Sequence, residues 1–118
     1  MAPTLEDVLV ERPADGTAVV VFSDEHDLAT KGEVTELLDS LLSENHLLVA
    51  DFSSASFVDS SMLQVILATN QKAQEQGKVF RLQLGTADIV RRAFEICGVF
   101  DTVQHVATRE EALARDER

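Results

Sequence analysis

The side chains best placed for chemistry are two adjacent serines. Ser60 and Ser61 follow Phe57-Val58-Asp59 and precede a helical run beginning at Met62. A serine at a strand–loop–helix junction can serve as a nucleophile or accept a modification. The nucleophilic role needs a base and a turn that stabilises an oxyanion. Here the glycines of a Gly-x-Ser-x-Gly elbow are missing, and no histidine is obviously placed to take the proton. His26, His46 and His105 are scattered, without the helical spacing of a zinc pair, and no Gly-rich phosphate loop ending in Gly-Lys-Ser/Thr is present. Hydrolysis by Ser60 or Ser61, with Asp27 and a histidine brought in by folding, stays open as an alternative. The expectation is a chain that is not an enzyme and uses no cofactor or metal.

Modification is the other use. Ser61 and Gln64 have capping-box spacing, so Ser61 is the expected N-cap of the following helix. Ser60 then lies just outside the first turn, exposed and without capping duty. A phosphoryl group there would add about −1.5 to −2 charges. The unpaired N–H groups at the positive end of the helix dipole would help hold it. The plainer alternative is that Asp59, Ser60 and Ser61 only form a turn and a cap.

The rest of the composition narrows the partners. A formal charge of −11 over 118 residues repels phosphate backbones and anionic headgroups, so neither nucleic acid nor a membrane surface is an expected partner. A protein with basic patches is. The chain is 45% hydrophobic, enough for a core without metal or disulfide, although it has no Trp or Tyr and only six Phe. Cys97 is the single cysteine, which suits a reducing compartment, and its neighbours Ile96 and Val99 predict a small core residue. The N-terminal stretch lacks a basic segment followed by an apolar one, and no apolar run reaches the roughly 20 residues of a membrane span. A cytoplasmic location is expected.

The elements that must position the serines follow from periodicity. Leu5–Arg12 alternates weakly and stops at Pro13-Ala14-Asp15-Gly16, a turn signal, and Ala18–Ser23 is β-branched; together they predict an antiparallel hairpin. A polar loop, Asp24–Ala29, follows. Thr30 and Glu33 have capping-box spacing ahead of Val34, Leu37, Leu38 and Leu41, one helical stripe ended by Asn45 and His46. Leu47–Phe52 reads as a buried central strand and Ser53–Ser56 as a small loop. A helix from Met62 to about Gln76 stops before Gly77, and Val79–Leu84 is a strand. The next helix places Ile89, Val90, Ala93, Phe94 and Cys97 on one face and ends at Gly98. Thr102–Val106 is a short strand, Thr108 to Glu111 repeats the capping-box spacing, and the charged tail Arg115–Arg118 is expected to fray. The reading is a single α/β domain over residues 1–118, with its core at about 8–113. It has a mixed sheet of four or five strands, an N-terminal antiparallel hairpin and about four helices mainly on one face, because successive right-handed crossovers stack on one side.

The run Phe57-Val58-Asp59-Ser60-Ser61-Met62-Leu63-Gln64-Val65-Ile66-Leu67 resembles the signature of STAS domains, the bacterial anti-sigma factor antagonists. That pattern is roughly apolar, Asp, Ser, Ser/Thr, Gly, Leu, with the first Ser as phospho-acceptor. Phe22-Ser23-Asp24-Glu25-His26-Asp27 is similar to the family's Gly-Glu-Leu-Asp loop, and Ala93 through Phe100 is similar to its third landmark, an apolar helix end closed by Gly, apolar, Phe. The resemblance implies a STAS fold and a partner-switching cycle. The unphosphorylated protein binds an anti-sigma factor that is also a serine protein kinase, and a sigma factor is released. The kinase then phosphorylates Ser60, and a phosphatase resets the switch. Asp27 matches a loop aspartate near the acceptor; Val58, Asp59, Ser61, Met62 and Val65 would surround the phosphosite and meet the partner.

Two departures bear on the implied function. Asp24 and Met62 stand where the family usually has glycine. They motivate a second implied role, a non-cycling scaffold subunit of a signalling assembly or of a transporter ATPase complex. Apart from the resemblance, Met62, Leu63, Val65, Ile66 and Leu67 point to nearly every side of their helix, whereas packing on a sheet needs one apolar stripe. The excess apolar side must be covered by a neighbouring helix or by a partner, and a partner near Met62 and Val65 is the expectation.

Overall fold

Strand β1 (Val8–Ala14) pairs antiparallel with β2 (Thr17–His26) through a tight turn in which Gly16 has φ 75°. A left-handed residue at that point favours glycine. The carbonyl of Gly16 also accepts from the N–H groups of His46 (2.9 Å) and Leu47 (3.1 Å), fastening the turn to the start of the next strand. The computed structural model describes residues 8–26, 31–58, 60–85 and 88–114.

The remaining elements alternate. Helix α1 (Lys31–Glu44) leads to β3 (Leu47–Val58), α2 (Ser60–Glu75) to β4 (Val79–Gln83), and α3 (Asp88–Ile96) through a short 3-10 turn at Val99–Asp101 to β5 (Gln104–Val106), before α4 (Arg109–Leu113). The five strands lie side by side in chain order, with only β1 antiparallel. This is the mixed sheet with an N-terminal hairpin that the sequence predicts. Three helices share the front face: Val34, Leu37, Leu38 and Leu41 of α1, Met62 and Ile66 of α2, and Val90 and Phe94 of α3 join one core. At its centre Phe22 stacks on Phe52 with ring centroids 4.6 Å apart, and Phe94 meets Phe52 edge-on at 5.2 Å. The back face is closed only by α4 among the described residues, where Ala112 and Leu113 pack on Val19, Leu47 and Val49.

Local signals close this frame. Thr108 caps α4, its hydroxyl accepting from the Glu111 N–H at 3.1 Å while the Glu111 carboxylate accepts from the Thr108 N–H at 3.2 Å. Gly98 follows α3 with φ 73°. The Asn45 side chain donates to the Leu41 carbonyl at 2.8 Å and so ends α1. Thr30, expected to start that helix, lies outside the described residues.

Three local expectations need correction. Strand β2 continues through Asp24 and Glu25 to His26, and β3 continues through Ser53–Ser56 to Val58, where loops were expected. Parallel pairing survives because the register shifts twice, between Val21 and Ser23 and between Ser23 and Glu25, and resumes at Glu25 opposite Phe57 and His26 opposite Val58. The shifts break the two-residue alternation, so that Ala55 and Val58 are buried at three-residue intervals after Phe52. Among the described side chains of α3, Val90 and Phe94 alone are fully buried; Ile89 is 66% exposed because it stands about 100° round the helix from Val90. Cys97 is exposed rather than a core residue, because the helix ends at Ile96, before that position could turn inward. A thiol reagent such as DTNB is therefore expected to titrate one equivalent rapidly in the folded protein. Labelling that waits for denaturant would contradict this placement.

Candidate functional site

Strand β3 and helix α2 are separated by a single residue, and both sides of the junction are anchored in the core. Val58 is 6% exposed on the strand side, and Met62 (2%), Leu63 (6%), Val65 (3%) and Ile66 (0%) are buried on the helix side. Ser60 is the first helical residue and is exposed, while Ser61 is partly buried. Helical structure thus begins earlier than expected, and Ser61 lies inside the first turn rather than at the N-cap. Asp59 and Asp27 lie outside the described residues. The strand ends that lead to those two aspartates are neighbours, because His26 pairs with Val58.

The chemistry of this end is that of a helix start. The first four N–H groups of a helix have no intrahelical acceptors, and aligned peptide dipoles place positive charge there. The first turn of α2 carries no acidic side chain. An anion attached to Ser60 would therefore meet a favourable local field, although the chain as a whole carries −11.

Met62 and Val65, expected to meet a partner, are core residues instead. Helix α1 packs against one flank of α2, and an ion pair between Lys72 and Asp39 (2.8 Å) joins the two helices. A helix with both a sheet beneath it and a helix beside it needs a broader apolar arc than one stripe. The outward face of α2 is instead Ser60, Gln64, Leu67, Ala68 and Gln71, which recur at helical spacing; Leu67 is 37% exposed.

A supporting network behind the junction was not foreseen. On β3, Asp51 is 3% exposed; its Oδ1 accepts from the Ser53 N–H at 2.8 Å and its Oδ2 from Arg109 Nη2 at 2.7 Å. Arg109 also donates to Glu11 Oε1 (2.5 Å) and Gln83 Oε1 (2.8 Å), so one guanidinium on α4 ties β1, β3 and β4 together. Burial works against its charge, but the hydrogen bonds and charges of Asp51 and Glu11 more than offset this and hold Arg109 above the ordinary arginine range. Gly85 packs closely on Ser53: a Cβ there would sit 3.1 Å from the Ser53 backbone, tighter than an ordinary contact. The only sequence signal for the network was the aspartate interrupting an apolar run.

Of the three histidines, His46 precedes β3 at the end opposite Ser60 and His105 lies on the edge strand β5, while the backbone of His26 pairs with Val58 beside the junction. Among the described residues no group of His, Cys, Asp and Glu is arranged to hold a metal, and no helix is long and apolar enough to cross a membrane.

Comparison with known proteins agrees with this geometry. The structure is similar to the crystal structure of an anti-sigma factor antagonist from Mycobacterium paratuberculosis, with 26% identity and a TM-score of 0.80 over 94% of this chain and 96% of that one. It shares its fold with the anti-sigma factor antagonist SpoIIAA in its unphosphorylated form, at 21% identity and TM-score 0.74 over 90% and 92% of the two chains. The same holds for the phosphorylated form of that Bacillus cell fate determinant, at 20% identity and TM-score 0.68 over 90% and 96%. No functionally curated protein has a matching sequence. The family model of the STAS domain matches residues 10–112, and the chain belongs to that family.

Proposed function

We propose that this chain is a cytoplasmic anti-sigma factor antagonist whose binding surface is switched by phosphorylation of Ser60. Unmodified, the start of α2 docks on an anti-sigma factor that is also a serine protein kinase, and a sigma factor is released. The kinase transfers a phosphoryl group to the Ser60 hydroxyl, the complex separates, and a phosphatase restores the first state. Asp27, Asp59 and Ser61 flank the acceptor, while Val58, Met62 and Val65 brace it from beneath.

The observation that carries this reading is the exposed hydroxyl of Ser60 on a junction whose neighbours on both sides are buried. Such a hydroxyl is accessible to a kinase, yet its backbone is held by the core, so an added dianion changes the surface and leaves the fold alone. The existence of SpoIIAA in phosphorylated and unphosphorylated forms of the same fold is consistent with that economy. The alternative of a non-cycling scaffold subunit rested partly on Met62 crowding the acceptor. Its side chain is directed into the core, which removes that part of the motive.

The test is labelling with ATP and the cognate kinase. Wild-type protein is expected to take up one phosphoryl group and Ser60→Ala none. Undiminished label on the Ser60→Ala variant would mean that another residue is the acceptor.

A further inference from the structure

The back of the sheet carries two arginines in contrasting situations. Arg109, with a side chain 35% exposed, has two carboxylate partners. Arg81 on β4 is only 5% exposed and, among the described residues, has none. Its Nε donates to Gln104 Oε1 at 2.7 Å and its Nη1 to the carbonyls of Ala112 (2.9 Å) and Ala114 (2.6 Å). Among the described residues Nη2 has no acceptor. A buried cation without a counter-charge is costly.

Arg81 lines a cavity of about 520 Å³ at the starting ends of β2, β3 and β4, together with Thr17, Leu47, Val79 and Leu113. That volume falls within the roughly 300–1,000 Å³ of small-ligand sites, and an apolar wall with few polar groups is their usual chemistry. We propose that this cavity binds a small carboxylic acid anion with a short apolar body. The carboxylate fills the open side of the Arg81 guanidinium, and the aliphatic part lies on Leu47, Val79 and Leu113. A planar carboxylate matches the guanidinium fork. A phosphate dianion fits less well, because Asp15 also lines the cavity and the whole chain is acidic. The site opens at the end of β3 opposite Ser60 and does not depend on the proposed switch.

The test is an NMR titration of the full, isotope-labelled chain with sodium hexanoate, with inorganic phosphate and hexanol as comparators. Hexanoate is expected to give saturable amide shifts at Thr17, Leu47, Val79 and Leu113, and neither comparator to reproduce them. Arg81→Met is expected to weaken the binding about tenfold or more, as loss of a charge-assisted contact does. Should that variant not fold, Leu113→Trp fills the apolar end while leaving every Arg81 bond in place, and is expected to abolish the shifts with an unchanged circular dichroism spectrum. The proposal is overturned if hexanol binds as well as hexanoate, if no saturable shifts occur, or if they centre on Ser60–Gln64. It is also overturned if binding emerges only after Asp116 and Glu117 are changed to their amides, the chain's own carboxylates then being the occupants.

Discussion

Ser60→Asp is expected to weaken binding to the anti-sigma partner by about 2–5 kcal/mol, roughly thirtyfold to several thousandfold, the range for an uncompensated charge in a close interface. The variant keeps the helix start intact, since an acidic residue in the first turn of α2 suits the dipole. What changes is the cost of drying the contact surface. Ser60→Asn offers a neutral side chain of the same shape, and is expected to stay within about threefold of wild type if charge is the switch. Isothermal calorimetry with the purified partner separates the cases. Equal affinities for Ser60→Asp and wild type would remove the electrostatic mechanism.

Arg109→Ala is expected to cost about 2–4 kcal/mol of folding stability, below the full range for breaking a buried pair because the guanidinium is one-third exposed. The loss has a definite origin. Asp51, with a side chain 4% exposed, would keep only the Ser53 N–H as a hydrogen-bond partner among the described residues, and α4 would lose its ties to β1 and β4. Lys72→Met supplies an internal control. Its ion pair with Asp39 is about 40% exposed on both sides, and such pairs contribute about 0–1 kcal/mol. Urea denaturation reads both variants. A lowered midpoint at constant slope for Arg109→Ala, with Lys72→Met near wild type, is the expected pattern. Equal losses would show that burial does not set the importance of these pairs.

What the sequence made legible was local. The three-to-four-residue stripe of α1, the capping box at Thr108 and Glu111, and the left-handed Gly98 each involve residues within one or two turns, where periodicity and hydrogen-bond reach coincide. The extensions of β2 and β3 were hidden because register shifts destroy the alternation that announces a strand. Asp51 and Arg109 lie 58 positions apart, and Arg81 and Ala114 33 apart, so nothing short of the folded sheet brings them together. The burial of Met62 and Val65 was misjudged for a related reason. How wide an apolar arc a helix needs depends on its neighbours, and the sequence of α2 does not state that α1 will lie beside it. The serine junction itself was legible as a place in the chain, with its helix starting earlier than the capping pattern implied.

The helix that seals the rear of the sheet is five residues long and follows every strand in chain order. A segment so brief cannot hold helical shape alone. Until residues 109–113 have been synthesised, Val19 and Val49 lack the cover of Ala112 and Leu113, and Glu11, Asp51 and Gln83 lack their common partner Arg109.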